Sequence, residues 1–514
     1  MRESRTSMSW GRRISLHAGL VVAHSFVLVW CAFLRPIDAD EGFYAGAAQL
    51  VAGGSLPYVD FFFPQAPALP FLYAPVAALA PGSLIALRLW SVVFGMVSAV
   101  VIGRLLNRFV DDRFARAVGL VMYLANPGVI AWIPVVKTYA LANCLVLLGL
   151  AGCLSAGRRD SGLRWSAAGL CFGLAALTRL LYAPAAVAML VLVVYRQSRA
   201  NALAFGVGLS CCVVLFAALF AMHPAGAIFG NLGYHAMRAT PPSGIHWVAA
   251  VGWFLLSKVL GVPYLILSAT LCALGVLRFV LLRCRGSDCI GIGAWEELTI
   301  VFVALAAASL VPWPLYVQYF EAPIAPFAAL LGATGVSLLP RRYAPIGATI
   351  VCVVLAGSLA ARTPVGANSG SPEWRMDRYE AVVRSISHHS RPGDVVLAQW
   401  PGYVFGSHRR FFRGMENHFA MRVVPRLSSR ECERLQIATP EDAVAAIEGA
   451  RVAVVVLGAW TKDFAAVASE AQKERLRRAL TDCYTLRLRL DSSDVYERTR
   501  CAHDGQEPAT RTGA

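Results

Sequence analysis

Three acidic residues follow the first long apolar segment of the chain: Asp38, Asp40 and Glu41, within RPIDADEGFY. Only 31 of the 514 residues are Asp or Glu, so this group stands out from the rest of the chain. Neighbouring carboxylates can accept a proton or bind a divalent cation. Placed directly after an apolar segment, they indicate chemistry at a membrane surface, although the bare pattern also fits a polar helix end that faces water.

The composition is that of an integral membrane protein. Hydrophobic residues make up 57% of the chain, charged residues only 15%, and the mean hydropathy is +0.56. These values lie outside the range of ordinary soluble domains. Apolar segments long enough to cross a hydrocarbon core of roughly 30 Å continue to about residue 361. We predict about eleven transmembrane helices, near residues 14–34, 82–103, 116–134, 138–156, 165–178, 180–195, 201–222, 247–280, 295–313, 320–339 and 344–361.

Lys and Arg collect in every second loop, and short basic loops mark the cytoplasmic side of a membrane protein. The basic sets lie near residues 2–13, 104–116, 158–164, 196–199, 278–285 and 341–342. This alternation predicts a cytoplasmic N-terminus and, with an odd number of spans, an outward-facing C-terminal tail. The first apolar run lacks a small-residue cleavage site, so we expect it to remain as a membrane anchor. Because topology explains most of the net charge of +16, we expect no nucleic-acid partner.

The loop from residue 35 to about residue 70 is long for a connection between two spans, and long ordered loops are usually functional. It mixes acidic, aromatic, Gly and Pro residues. Its segment FYAGAAQLVAGG is typical of a short amphipathic helix that ends at Gly53 and Gly54. Such a helix lies along the membrane interface and holds the acidic residues beside the bilayer.

The order of residues in DADEGFYAGAAQLVAGGSLPYVD resembles that of the GT-C superfamily of membrane glycosyltransferases. This superfamily includes protein O-mannosyltransferases, lipid A aminoarabinose transferases and RgtA/B/C/D-like bacterial proteins. In it an Asp-Glu pair follows the first helix, and an aromatic residue, a small-residue helix, Gly and a Pro-Tyr-x-Asp turn come next. The matching positions here are Asp40, Glu41, Tyr44, Gly53 or Gly54, Pro57, Tyr58 and Asp60. The segments NPGVIAW, GLAALTRLLYAP and PWPLYVQYFEAPIAPF agree with it and extend it over nearly the whole chain.

The resemblance implies transfer of a sugar from a polyprenyl-phosphate donor to an envelope glycan, lipid or protein acceptor. The reaction would take place at the outer face of the bacterial cytoplasmic (inner) membrane, with inversion at the anomeric carbon. One carboxylate must then accept the proton of the acceptor. We predict Asp40 as this base, and Glu41 as the residue that orients Asp40, the acceptor or a divalent ion. The extra acid Asp38 departs from the family pattern and leaves open which of Asp38 and Asp40 is the base.

Further residues are predicted to bind the substrates. Lys137, Arg179 and Arg238 lie near outer helix ends, against the positive-inside trend, and are candidates for the donor phosphate. The alternative for all three is snorkelling to lipid headgroups. Candidates for the sugar and acceptor are Asp60, Tyr44, Tyr58, His235, Tyr316, Gln318 and Tyr319. The tyrosines also fit an interfacial aromatic belt. No cysteine or histidine spacing indicates a metal site, and a divalent cation on the acidic residues stays open.

The tail has the composition of a soluble domain. Residues 372–500 alternate helical stretches with short apolar strands such as DVVLAQW and ARVAVVVLG, which predicts a small α/β domain. We expect this domain to act as a lid or an acceptor-binding module, with a disordered end at residues 501–514. Cys432, Cys483 and Cys501 lie in this tail, where an oxidising compartment would permit one disulfide. The sequence leaves the pairing open, and Cys432 with Cys483 is the pair that we favour.

Two functions of other kinds remain open, and an O-antigen ligase type of enzyme, with a different donor, stays possible as well. A transporter or flippase for a lipid-linked or small polar substrate would also be polytopic, but it tends to carry ionisable groups in mid-membrane. This chain has no acidic residue between Asp160 and Asp288 and no visible inverted repeat. A non-catalytic partner in envelope glycan assembly would keep the architecture and lose the transfer reaction. The predicted fold class is therefore a polytopic α-helical membrane protein of GT-C type with an outward-facing α/β domain.

Overall fold

The computed structural model describes residues 4–155, 162–284, 292–338, 340–362, 374–458, 461–490 and 493–499. The membrane part consists of helices, several of them apolar on their outer faces. Its helices are α1 (Ser4–Leu34), α2 (Glu41–Ala52), α3 (Ala68–Leu79), α4 (Leu84–Phe109), α5 (Arg113–Leu124), α6 (Pro127–Trp132), α7 (Thr138–Ser155), α8 (Gly162–Thr178), α9 (Ala183–Arg196), α10 (Arg199–Met222), α11 (Pro224–Ile228), α12 (Tyr234–Arg238), α13 (Ile245–Phe254), α14 (Pro263–Cys284), α15 (Ile292–Ala308), α16 (Val317–Val336) and α17 (Ala344–Arg362).

Four helical segments are both long and apolar enough to cross a membrane: Leu84–Phe109, Arg113–Trp132, Arg199–Met222 and Pro263–Leu281. Shorter apolar helices include Ala18–Leu34 and others of similar length. Each of the eleven predicted ranges contains helix, and the stretch 247–280 is divided between α13 and α14. The exact number of spans stays a prediction.

The surface of this helical part is apolar where lipid would contact it. On α10, large hydrophobic side chains such as Leu203, Val214 and Leu215 are mostly exposed. The interior uses small residues for close helix packing, as membrane proteins often do. A Cβ on Gly208 of α10 would lie 1.9 Å from the carbonyl oxygen of Ser166 on α8, so the two helices touch along their backbones.

The segment between α1 and α4 contains two helices, and the sequence predicted only one of them. Helix α2 begins after Asp40 and ends at Gly53, as predicted, and the following Gly54 has φ +90°, a conformation that favours glycine. Helix α3 was missed because Pro75 lies inside it and its residues form a continuous apolar run without helical periodicity. The two helices pack against each other, so α3 supports the buried face of α2.

The C-terminal part of the chain is a five-stranded mixed sheet with helices, and we call it the outward domain after its predicted orientation. Its elements are α18 (Met376–His388), β1 (Val395–Ala398), α19 (Pro401–Ser407), β2 (Arg410–Phe411), α20 (Ser429–Arg434), α21 (Pro440–Glu448), β3 (Val454–Gly458), α22 (Thr461–Val467), α23 (Glu470–Cys483), β4 (Tyr484–Leu490) and β5 (Ser493–Arg498). The strand order is β2-β1-β3-β5-β4, in which β1 pairs in parallel with β2 and β3. Strand β5 is antiparallel to both of its neighbours.

The predicted disulfide is wrong, since Cys432 is a free buried thiol whereas Cys483 is disulfide-bonded. Residues 501–514, predicted to be disordered, lie outside the described residues. The α/β character of the domain agrees with the alternation of helix and strand in the sequence, and helix α19 of the domain packs directly on α2.

Glu416 of the outward domain is a buried acid, and burial raises its pKa to about 7 from the usual 4.5. Its carboxylate accepts a hydrogen bond from the amide of Gly414 (2.8 Å). The folded protein therefore binds this proton more tightly than the unfolded chain does. The contribution of Glu416 protonation to the free energy of unfolding is fully present below about pH 4.5 and is lost as the pH rises through about 7.

We therefore expect Glu416→Gln to stabilise the domain above pH 7, by about 3 kcal/mol at most, because glutamine stays neutral. The gain should vanish below pH 4.5. Thermal unfolding of the domain can be followed in the full-length protein by limited proteolysis and mass spectrometry, at pH 4.5 and pH 8. Exposed Glu433, changed to Gln, is the control. An equal melting temperature of Glu416→Gln and wild type at pH 8 would contradict this account.

Candidate active site

The acidic cluster lies at the start of α2 and is joined by a lysine from a distant part of the chain. Lys137, just before α7, places its Nζ atom 2.8 Å from Oδ1 of Asp38 and 3.1 Å from Oδ2 of Asp40. Asp38 also accepts the amide of Asp40 at 2.9 Å. The side chain of Asp40 is 28% exposed and that of Asp38 12%, so Asp40 is the more accessible of the two.

Glu41 has a different environment from the other two acids, because its side chain is completely buried against Arg88 of α4. Arg88 donates through Nε to Oε1 (2.8 Å) and through a terminal nitrogen to Oε2 (2.5 Å). Glu41 also accepts the amides of Asp38 (2.9 Å) and Val136 (3.0 Å). Both oxygens of Glu41 are therefore used by the protein, and neither is exposed to an acceptor. Its orienting role stays a prediction.

Lys137 contacts the two aspartates, a glutamine and a tryptophan ring. Its Nζ atom donates to Oε1 of Gln318 at 3.0 Å and lies 4.8 Å from the ring centre of Trp132, a cation–π distance. Burial favours the neutral amine, but the carboxylates of Asp38 and Asp40 outweigh it and raise the pKa of Lys137. The pKa of Asp38 is lowered although burial opposes this, because Lys137 and the amide of Asp40 favour the carboxylate. The ion pair is therefore charged at neutral pH.

The sequence left open whether a divalent cation binds the acidic residues, and the position of Lys137 bears on this question. A cation shared by Asp38 and Asp40 would bind between their oxygens, where the ammonium group of Lys137 already lies. Two cations at one point would repel each other strongly in a partly buried site. Among the described residues there is also no group of three His, Cys, Asp or Glu side chains that could hold a metal. The residues present do not fit a divalent ion.

A pair of arginines forms the second half of the site. The guanidinium of Arg179 lies over the rings of Tyr139 (4.9 Å) and Tyr319 (4.6 Å) and donates to the hydroxyl of Thr138. Arg238 donates to the carbonyl of Trp313 (3.2 Å) and to the hydroxyl of Tyr319 (3.4 Å). In the described part of the chain no carboxylate pairs with either arginine, so their charge is available to an anion.

Tyr44 of α2 lies between the acidic half and the arginine half. Its buried hydroxyl interacts with the charges of Arg179, Asp40 and Lys137, and burial raises its pKa well above the usual value. The hydroxyl therefore stays protonated at neutral pH and can donate a hydrogen bond. Tyr316 is more exposed and packs edge to face on Tyr319 (5.3 Å).

Three further predicted residues have contacts that stabilise the outer loops. Oδ2 of Asp60 accepts the amide of Leu56 (2.7 Å) across a turn, and the side chain is exposed. Tyr58 is buried, has φ +70° and accepts a hydrogen bond from Asn231. His235 bonds the carbonyl of Pro64 (2.8 Å), and burial together with Arg238 lowers its pKa to about 4, so it is neutral at physiological pH. Their role in binding substrate stays a prediction.

Sequence reasoning missed Arg88, Tyr139 and Glu321. Arg88 and Glu321 are charged residues inside apolar helices, and such residues usually have a buried partner. That signal was present in SLIALRLW and YFEAPIAP but did not identify the partners. Glu321 accepts hydrogen bonds from Tyr264 and from Nε1 of Trp132 (3.1 Å), and it thereby fixes the ring that Lys137 contacts.

We expect Arg88→Met to destabilise the protein by about 3–5 kcal/mol, because it leaves the buried Glu41 carboxylate without its cation. The double variant Glu41→Gln/Arg88→Met removes both charges and should recover most of the loss. The measurement is the melting temperature of the purified protein in detergent. Arg384→Met, which breaks an exposed ion pair with Glu380, is the control and should change little. An Arg88→Met variant that melts with the wild type would contradict this role of the pair.

Comparisons with known proteins support the architecture. No family model and no curated protein matches the chain. Two solved structures of ArnT from Cupriavidus metallidurans are similar to it, each at 14% sequence identity. The structure bound to undecaprenyl phosphate has a TM-score of 0.65 and covers 94% of this chain and 97% of that chain. The apo structure has a TM-score of 0.66, with 96% and 98% covered. The chain therefore has the fold of ArnT over nearly its whole length, which confirms the predicted polytopic α-helical membrane architecture with a small C-terminal sheet. The number of spans and the outward orientation of the C-terminal domain stay predictions.

Proposed function

We propose that this protein transfers a sugar from a polyprenyl-phosphate donor to a hydroxyl or amine acceptor at the outer face of the cytoplasmic membrane. The observation that carries the proposal is an accessible carboxylate, Asp40, and an arginine, Arg179, that both interact with Tyr44. Tyr319 joins Arg179 to Arg238, and no carboxylate of the described residues neutralises either arginine. These groups lie in a fold shared with ArnT, one structure of which is bound to undecaprenyl phosphate.

Asp40 acts as the general base in this proposal. Its carboxylate takes the proton of the acceptor while the acceptor oxygen or nitrogen attacks the anomeric carbon of the sugar. Attack from the face opposite the leaving group inverts the configuration. Lys137 holds Oδ2 of Asp40 at 3.1 Å, and Asp38 holds both Lys137 and the Asp40 amide, so Asp38 serves to orient the base. Asp40 is preferred over Asp38 because its side chain is more exposed.

Arg179 and Arg238 bind the donor phosphate in this proposal. As the bond between the anomeric carbon and the phosphate oxygen breaks, negative charge grows on the polyprenyl phosphate. Guanidinium groups bind phosphate oxygens through paired hydrogen bonds and keep their charge at any physiological pH. The rings of Tyr139 and Tyr319 hold Arg179 in place, and Tyr319 also contacts Arg238, so one tyrosine orients both cations.

The topology proposed from the basic loops fits this reaction. With a cytoplasmic N-terminus, the acidic loop and the outward α/β domain lie on the same, outer side. The donor enters from the membrane, and the acceptor approaches from the outer side. The transporter alternative predicts no transfer from any donor, and so does a non-catalytic assembly partner, so the following assay separates both from an enzyme.

We expect Asp40→Asn to lower the rate of sugar transfer by at least about 100-fold, because asparagine cannot accept the proton. The assay uses membranes with equal amounts of correctly inserted protein and a panel of polyprenyl-phosphate sugars. Asp377→Asn, which changes an exposed acid of the outward domain, is the matched control. Full activity of Asp40→Asn, with a large loss in Asp38→Asn, would move the base to Asp38. No transfer by the wild type with any donor would count against the enzyme.

We expect a chelator such as EDTA to leave the wild-type rate unchanged, because Lys137 lies where a divalent ion would bind. Lys137→Ala should lose at least about tenfold in rate, since Asp38 and Asp40 then repel each other and Asp40 loses its orientation. Lys473→Ala, a change of a partly exposed lysine in the outward domain, is the control. Loss of wild-type activity in EDTA that Mg²⁺ or Mn²⁺ restores would show that the site does use a metal.

A further inference from the structure

The outward domain is hydrogen-bonded to the backbone of the acidic loop at two points. The indole Nε1 of Trp400 donates to the carbonyl oxygen of Ala39 (3.0 Å), across a sequence separation of 361 residues. The carbonyl oxygen of Trp374 accepts the amide of Ile37 (2.7 Å). These two groups lie on either side of Asp38, and Ala39 immediately precedes Asp40. The domain therefore contacts the loop at the acidic residues themselves.

Helices α2 and α19 pack so closely that there is no space for a side chain between them. A Cβ on Gly42 would lie 2.6 Å from the backbone nitrogen of Gly402 and 2.7 Å from the Trp400 ring. One turn further along α2, a Cβ on Gly46 would lie 2.9 Å from the ring of Phe411. Such distances are too short for any side chain, so backbone and indole pack directly on α2. The domain is seated on the helix that carries the acidic residues.

The indole of Trp400 is itself fixed within the domain. The residue is 3% exposed, and its ring packs edge to face against Tyr403 (5.0 Å) and Tyr379 (5.9 Å). Buried aromatic rings in such arrangements have little rotational freedom. The N–H that reaches Ala39 therefore comes from a rigid support.

The bond acts on a single peptide plane. The carbonyl of Ala39 and the amide of Asp40 belong to the same planar peptide unit. The indole N–H of Trp400 donates to the carbonyl oxygen of this unit, and Oδ1 of Asp38 accepts a hydrogen bond from its N–H (2.9 Å). With both ends held, the plane cannot rotate, and the direction in which the Asp40 side chain leaves the backbone is set. Without the indole N–H, only the Asp38 end remains held.

We propose that Trp400 is a positioning residue for Asp40, and that the outward domain thereby forms part of the catalytic centre. The proposal rests on the proposed function, since it assigns Trp400 a role in orienting the base of that reaction. Its effect falls on the catalytic step, because a small misorientation of a catalytic group lowers the rate without weakening the binding of substrate. The arginine half of the site, which would bind the donor, has no contact with Trp400 among the described residues.

The test is Trp400→Phe, which keeps an aromatic ring and removes the N–H donor. We expect kcat to fall about tenfold, with KM for the donor within about twofold of the wild type. We also expect faster amide hydrogen exchange in the segment 37–42, measured by mass spectrometry on the full-length protein. Trp90→Phe is the matched control, since Nε1 of Trp90 makes a similar bond to the carbonyl of Leu72 (3.1 Å) away from the acidic loop.

A second replacement keeps the test valid if Trp400→Phe folds poorly. Benzothienylalanine at position 400 has the shape of tryptophan with sulfur in place of the N–H group, so it removes the hydrogen bond alone. It should reproduce the loss of kcat and the faster exchange without a lower melting temperature.

Unchanged kcat and unchanged exchange in both replacements would overturn the proposal. Equal losses of kcat in the Trp400 and Trp90 variants, without faster exchange in the segment 37–42, would overturn it as well, because they indicate general destabilisation. Wild-type protein that transfers no sugar, combined with faster exchange in the Trp400 variants, would remove the proposed function while upholding the anchoring of the loop by the domain.

Discussion

The buried ion pair of Glu41 and Arg88 is the interaction on which the geometry of the site depends. Arg88 uses its five N–H groups on the two oxygens of Glu41 and on the carbonyls of Ala32, Arg35 and Pro36. Those carbonyls lie at the C-terminal end of α1, where the last C=O groups of a helix have no hydrogen-bond donor within the helix. One arginine thus joins the end of the first helix to the start of α2.

The same pair brings the distant lysine to the acidic loop. Glu41 accepts the amide of Asp38 with one oxygen and the amide of Val136 with the other, and Val136 immediately precedes Lys137. The backbone positions of Asp38 and Lys137 are therefore both set by Glu41, which explains how their side chains meet at 2.8 Å. The three acids consequently have separate environments: Glu41 accepts backbone amides, Asp38 pairs with Lys137, and the side chain of Asp40 stays partly exposed. A buried pair of this kind contributes specificity of geometry more than net stability.

The sequence predicted those features that are encoded locally. The apolar segments, the position of α2 and its end at Gly53, and the alternation of helix and strand in the outward domain follow from composition and periodicity. It could not predict pairings across long sequence separations, such as Glu41 with Arg88 at 47 residues or Trp400 with Ala39 at 361. No local pattern distinguishes one partner from another at such distances. The choice of Cys432 as partner for Cys483 failed for the same reason.

The balance of charge also explains why the two halves of the site belong together. Lys137 is neutralised by Asp38 and Asp40, whereas Arg179 and Arg238 have only tyrosine, hydroxyl and carbonyl partners among the described residues. A cation–π contact contributes about 1–2 kcal/mol, less than the several kcal/mol that removing a guanidinium from water costs. The arginines are therefore stabilised most by an anionic ligand, and Tyr44 interacts with both Arg179 and Asp40. In the proposed reaction, the phosphate bound by the arginines and the base Asp40 would lie on opposite sides of the reacting carbon, as a phosphate-leaving transfer requires.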